Sequence, residues 1–328
     1  MLWRPAPPPL YSEQIGTLLT QLVFNIKNEK ISKEELSKSS TNLISGLNDL
    51  REEGLPFTVV IGDVCHGGVG KTQVVQFLGR LFHKLGIENI FILSHGYLGK
   101  NKVPTALTTM CLETLLFKFG DEATMLHTDL PSSIQIISGG TWVDKWRYAR
   151  DGGAQIIICD GGLYTSKLPR HLGIIVISSE QRNRLIPFGS LTRPKATWPR
   201  GPQYLFWGIR QRQNDQFDLP LDLVSWVKPD SFYHPKSSQQ TEWQSLSRVS
   251  AICGLAHPYR FRISLDELGY QLDEFILLRD HQKIPRDQLE KIKHQSDKLW
   301  LTTRKDQVKL INPPHNLWAL KVRLQIMD

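Results

Sequence analysis

Four short apolar runs in the first two thirds of the chain alternate with stretches of helical periodicity: Phe57 to Ile61, Ile90 to Leu93, Ile134 to Ile137 and Ile156 to Asp160, with Ile174 to Ser178 following as a fifth. Continuous apolar runs of this length, bounded by turn residues, predict strands buried on both faces, and helical segments between them predict crossover connections. Between the runs, Val74, Val75, Leu78, Leu81 and Phe82 mark one helix, Gly120-Asp121-Glu122 opens another, and Trp142, Trp146 and Tyr148 lie on a third. The pattern repeats on a smaller scale after Ser247, with strands at Val249 to Cys253, Glu274 to Leu278, Leu299 to Thr303 and Trp318 to Val322. Helices bearing Phe261 and Leu265, and running from Asp287 to Lys298, fall between them. The fold class expected is α/β, a doubly wound and mostly parallel sheet with a second, smaller α/β domain.

The expected boundaries are an N-terminal helical segment over 1–55, a core over 56–212, a linker or hairpin over 213–246 and the smaller domain over 247–328. The linker is read from Gln, Asp, Pro and Ser between Gln211 and Gln244. From Ser12 to Lys27, Ile15, Leu18, Leu19, Leu22, Val23 and Ile26 form one helical stripe, too short and too polar to span a bilayer. It fits a membrane interface or the protein's own core. A basic start followed by a continuous apolar run, the mark of a cleavable signal, is missing.

A formal charge of +8 calls for an anionic partner, which on charge alone is a nucleotide, a phospholipid surface or nucleic acid. Cys65, Cys111, Cys159 and Cys253 form no CxxC pair, so neither a zinc site nor a disulfide framework is indicated.

The chemistry concentrates after the first strand, in Cys65-His66-Gly67-Gly68-Val69-Gly70-Lys71-Thr72. Glycines there let backbone N–H groups converge on an anion, and the helix that follows adds the positive end of its dipole. His66, Gly67, Gly68, Val69, Gly70, Lys71 and Thr72 are the expected nucleotide-binding residues, with Lys71 on the β- and γ-phosphates and the Thr72 hydroxyl on Mg²⁺. Cys65 stands where the GxxxxGK[ST] pattern has its first glycine, so the loop is a variant of a P-loop NTPase-like fold. Asp160 ends an apolar strand. Alone it is a cap or turn former, but beside a Lys-Thr phosphate loop it reads as a second contact to Mg²⁺.

In order and at similar spacing, GDVCHGGVGKT (62–72), SHGYLGK (94–100), GDEA (120–123), DGGL (160–163), PFGSL (187–191), AHPYRF (256–261), DHQ (280–282) and TTRKD (302–306) resemble the tetraacyldisaccharide 4'-kinase family, which phosphorylates a lipid A precursor. The resemblance implies a monomeric two-domain P-loop kinase using ATP and Mg²⁺ and meeting no nucleic acid. Its acceptor would be a membrane-borne acylated glucosamine disaccharide, with peripheral attachment at the cytoplasmic face of the bacterial inner membrane. It further implies that Asp121 is the base for the sugar hydroxyl, assisted by His281. Without it, Asp121 reads equally as a helix N-cap and His281 as a surface residue.

The chain departs from the family's pattern where Gly161 replaces a second aspartate, His95 an arginine and Asp63 an asparagine. Ser190-Leu191-Thr192-Arg193 stands for Pro-Leu-Arg-Glu, and Arg304 for a glutamate. These changes fall on phosphate and metal electrostatics. They keep open a second reading, a catalytically degenerate homologue that binds nucleotide or lipid.

Overall fold

A computed structural model describes residue 47 and residues 53–65, 67–179, 185, 186, 188, 191–201, 203–212, 214–217, 219–234, 237–241 and 248–327. The expected helix from Ser12 to Lys27, and His66 in the phosphate loop, lie outside them.

The first block runs β1 (Phe57–Asp63), α1 (Lys71–Lys84), β2 (Ile90–Leu93), β3 (Thr105–Ala106), α2 (Leu112–Asp129), β4 (Gln135–Ser138), α3 (Trp142–Asp151), β5 (Ile156–Asp160), β6 (Leu172–Ser178) and β7 (Tyr204–Arg210). Then come β8 (Leu223–His234), β9 (Ser237–Thr241), β10 (Arg248–Cys253), α4 (Pro258–Glu267), β11 (Gln271–Leu277), α5 (Arg286–His294), β12 (Trp300–Thr303), α6 (Arg304–Gln307) and β13 (Leu317–Ile326).

The strands form one sheet in the order β11-β10-β12-β13-β8-β7-β6-β1-β5-β2-β4-β3, with β9 on β8. Parallel pairing prevails; the antiparallel steps are β13 with β8, β8 with β9 and β3 with β4. The fold class expected from alternation is therefore the one observed. Its central strands are buried on both faces. Val59 and Ile61 pack with Val74, Leu78 and Phe82 of α1, while Val60, Ile157 and Cys159 pack with Trp146 and Ala149 of α3.

The stretch read as linker or hairpin holds the antiparallel pair β8 and β9, and β8 is also built into the sheet, parallel to β7 and antiparallel to β13. The helix expected to open at Gly120 does so: α2 is two helical segments that meet at Gly120 (φ 81, ψ 174), and the segment from Leu112 to Phe119 comes before the expected one.

Candidate active site

β1 lies directly beside β5, with Ile61 opposite Asp160, so the strand that feeds the phosphate loop and the strand that ends in the acid reach the carboxyl edge together. Beyond β1 the chain turns through Gly67 (φ 102) and Gly70 (φ 101). At both, side-chain tips also stand close: a Cβ on Gly70 would lie 2.7 Å from Ile209 Cδ1, and one on Gly67 would lie 2.7 Å from His257 Nε2. Helix α1 starts at once, with no acidic residue in its first turn to occupy the dipole's positive end.

Lys71 Nζ forms an ion pair with Asp63 Oδ2. Burial alone would lower the Lys71 pKa, but Asp63, with Asp160 and Glu122 farther off, outweighs it and holds the ammonium above its usual range. Thr72 Oγ1 donates to Asp160 Oδ2 at 3.0 Å. Burial pushes the Asp160 carboxyl up to about 6, with repulsion from Glu122 adding to it against the opposing pull of Lys71 and the Thr72 hydroxyl. Thr72 and Asp160 thus offer two hard oxygen ligands, with the Glu122 and Asp63 carboxylates acting on the same acid. That donor set suits Mg²⁺, which takes one or two protein oxygens and completes its shell with phosphate and water.

Asp121 is placed by the break in α2. A Cβ on Gly120 would fall 2.1 Å from the Tyr97 carbonyl, so glycine is required for the 94–101 loop to press against the helix. The break frees the carbonyls of Phe117 and Lys118, which accept from Lys100 N at 3.1 Å and Asn101 N at 2.9 Å. Asp121 then opens the second helical segment, its Oδ1 accepting from Glu122 N at 3.0 Å.

His281 follows β11 in the left-handed region (φ 61), an uncommon conformation for a side chain of this size that marks a constrained position. Its Nδ1 lies 2.9 Å from Asp121 Oδ2 and its Nε2 lies 3.1 Å from Lys305 Nζ. A lysine ammonium only donates, so Nε2 accepts and the imidazole proton sits on Nδ1, donated to Asp121. Burial raises the Asp121 carboxyl, but the His281 bond and the Lys305 and Lys309 cations prevail and hold it below the ordinary carboxylate range. The Tyr97 ring covers His281 at 4.7 Å.

The loop carrying His281 is itself braced. Buried Asp306 accepts from Gly254 N at 2.9 Å and pairs with Lys309 at 2.7 Å, and Lys309 reaches the Gln282 carbonyl at 3.1 Å. His281, Lys71, Thr72, Asp160 and Glu122 line one cleft of about 1860 Å³, and Asp121, itself buried, meets that cleft through His281.

Three residues of this cleft have no role in the reading of the sequence: Lys305, His257 and Arg260. All three stand inside quoted motifs, so position in a motif was the available signal, but their partners lie far away along the chain. Gly161, where the family pattern has its second aspartate, has φ 122, and a Cβ there would lie 2.9 Å from Trp142 Cζ2. The indole is held by Lys145, whose buried Nζ lies 3.7 Å from its centroid and donates to the Ser94 carbonyl at 2.6 Å. His95 packs edge-on to the same ring at 6.0 Å. Two departures, at 95 and 161, therefore belong to one rebuilt wall.

The Tetraacyldisaccharide-1-P 4'-kinase (LpxK) family model matches residues 44–328. A tetraacyldisaccharide 4'-kinase of Desulfotalea psychrophila is 27% identical over 281 residues, covering 79% of this chain and 80% of the relative. Another, from Francisella tularensis subsp. novicida, is 27% identical over 338 residues, covering 99% of this chain and 98% of the relative. Among solved structures, LpxK from Aquifex aeolicus in complex with ATP superposes with a TM-score of 0.61 at 22% identity, over 88% of this chain and 92% of that one, a likeness of fold. A match that runs from before β1 to the end of β13 takes in every element of the cleft, and the chain belongs to the tetraacyldisaccharide-1-P 4'-kinase family.

Proposed function

We propose that this chain transfers the γ-phosphoryl group of ATP to the 4'-hydroxyl of a tetraacyldisaccharide 1-phosphate, a step of lipid A biosynthesis. The observation that carries the reading is the 2.9 Å contact between His281 Nδ1 and Asp121 Oδ2 in the cleft of the phosphate loop. Phosphoryl transfer needs a positioned hydroxyl, neutralised charge and a carboxylate to take the hydroxyl proton.

Asp121 accepts that proton as the sugar oxygen bonds to phosphorus and the bond from phosphorus to the β,γ-bridging oxygen breaks, releasing ADP. His281, its tautomer fixed by Lys305, aims the carboxylate and keeps it ionised. The backbone of Gly67 to Gly70 and Lys71 cradle the phosphates, and His66 belongs to the same loop. Thr72 and Asp160 would hold Mg²⁺, which neutralises phosphate charge when bound.

Among the described residues no helix is long and apolar enough to cross a membrane. An acylated acceptor requires contact with a lipid surface, so the proposed setting is peripheral, at the cytoplasmic face of the inner membrane, with the chain acting as a monomer.

The test is transfer of label from ATP to tetraacyldisaccharide 1-phosphate by the purified chain with Mg²⁺. Labelled lipid that disappears in Asp121→Ala and Lys71→Ala supports the reading. ATP binding without labelled lipid, from folded protein, refutes it and leaves the degenerate homologue.

A further inference from the structure

Arg260 and His257 sit at the start of α4, which follows β10 on the far side of the cleft, yet both side chains end at the phosphate loop. Arg260 Nη1 donates to the Gly68 carbonyl, and Nη2 donates to Ser178 Oγ, at the last residue of β6, at 2.8 Å. His257 Nε2 occupies the space a Cβ on Gly67 would need. Three segments remote in sequence, the phosphate loop, the end of β6 and the first turn of α4, meet at one guanidinium. Arg260 and His257 line the same cleft as Lys71 and His281.

The local balance of charge gives this meeting a chemical meaning. Asp63, Glu122 and Asp160 act on Lys71 at the loop, and the Lys71 charge is already offset by Asp63. A phosphoryl group in transfer spreads negative charge over its equatorial oxygens and the bridging oxygen, and needs donors poised on the side the loop leaves open. A guanidinium is permanently charged, planar and carries five N–H donors in a rigid fork suited to phosphate oxygens. At the Gly68 carbonyl it stands against the phosphate loop, in the cleft that Lys71 also lines.

We propose that Arg260 is a further catalytic residue, a guanidinium delivered in cis from α4 that turns from the Gly68 carbonyl to the γ-phosphoryl oxygens during transfer. It neither gains nor loses a proton. The acceptor oxygen bonds to phosphorus, the bridging bond breaks with its electron pair leaving on ADP, and the hydroxyl proton goes to Asp121. The proposal rests on the kinase reading above.

The experiment compares wild type with Arg260→Ala and Arg260→Lys in the lipid transfer assay, with Asp121→Ala as the blank. Arg260→Ala is expected to lower kcat by about 100- to 1,000-fold while KM for ATP stays within about threefold. Arg260→Lys falls between, and millimolar guanidinium chloride restores part of the rate to Arg260→Ala alone. A kcat within about tenfold of wild type, or a loss that follows ATP affinity and is untouched by guanidinium, overturns the assignment. Should wild type transfer no phosphate, the kinase reading fails, and Arg260 is judged by calorimetry with ADP and aluminium fluoride, a mimic of the transferring group. Tightening of ADP by aluminium fluoride in wild type but not in Arg260→Ala keeps the guanidinium at the γ-position. Equal tightening in both, or none in either, removes it.

Discussion

Replacing Asp63 by asparagine should make ATP bind more tightly, and the size of the gain follows from the pair it breaks. In the free protein the Asp63 carboxylate holds Lys71, the residue proposed to meet the β- and γ-phosphates. Nucleotide must draw that ammonium away from a carboxylate that also repels it. The pair is partly solvated, with side chains 29% and 20% exposed, so giving it up costs about 1 kcal/mol. A unit negative charge roughly 7 Å from another, at an effective dielectric between about 20 and 80, adds some ~0.6 to ~2.4 kcal/mol of repulsion. Asparagine keeps the shape and removes both terms, for a net gain of about 2 kcal/mol, or roughly 30-fold in the dissociation constant. Titration calorimetry with ATP and Mg²⁺ at two salt concentrations reads this directly, and the gain should shrink at the higher salt. Without nucleotide, Asp63→Asn should be slightly less stable, because Lys71 is left without its carboxylate. An unchanged or weakened ATP affinity would refute the reasoning and make Asp63 a group that aims Lys71 at the phosphates.

Three further outcomes test the site and its frame. Asp121→Asn should lose at least about 100-fold in kcat, and His281→Ala less, with the double variant little worse than Asp121→Asn, since the two act as one unit; additive losses in the lipid transfer assay would separate them. Gly161→Asp, which restores the family's second aspartate, should lower the melting temperature by about 5 °C and raise no activity, because φ 122 and the Trp142 ring exclude a side chain; scanning fluorimetry showing an unchanged melting temperature with faster transfer would contradict this. His171, buried against Phe57 with Nδ1 accepting from Thr58 N at 2.9 Å, is pushed down to about 4 by burial. The unfolded chain binds its proton near pH 6.5 and the folded one only near 4, so stability is full above 6.5 and falls as pH drops through that window, by on the order of 3 kcal/mol; in His171→Asn, melting measured against pH should lose this slope.

Strands buried on both faces were legible as plain apolar runs, which is why β1, β2, β5 and β6 stand where the pattern puts them. The phosphate loop was legible because glycine, lysine and threonine are demanded there by backbone geometry and charge. β8 was not, since Leu223 to His234 contains Pro229 and Asp230, residues that disfavour a central strand. The structure accommodates them at a register shift opposite Lys321 and Val322, where the ladder is already interrupted. Gly120 reads as a beginning and is one, and the segment from Leu112 to Phe119 before it was not read; the break between the two lets the 94–101 loop in. The proposed catalytic pair, Asp121 and His281, came from family resemblance, because nothing local distinguishes an aspartate after glycine from a cap. Arg260 with Gly68 and Lys305 with His281 are pairings that only the folded sheet creates.

The place of the pair in the sheet explains why such contacts cannot be read locally. His281 follows β11, at one end of the strand order, and Asp121 lies on α2, which joins β3 to β4 at the other end. Flat strands at their usual spacing would separate those ends by roughly 50 Å. A contact of 2.9 Å therefore requires the sheet to coil until its two ends face each other, and the cleft is the concavity so formed. The antiparallel pair of β8 and β13, with its interrupted register, joins the two parallel blocks in that curve. Arg304 ties the curve shut: it pairs with Asp129 at 2.7 Å, bonds Thr128 at 3.0 Å and stacks on Tyr233 of β8 at 4.5 Å, two turns of α2 beyond Asp121. The family's pattern carries a glutamate at this position, which would repel Asp129. In this chain the reversed charge joins α2, α6 and β8, and the neighbour of Arg304 is Lys305, the residue that fixes the His281 tautomer. A departure that reads in sequence as lost catalytic electrostatics is thus, in the fold, part of what brings Asp121 and His281 together.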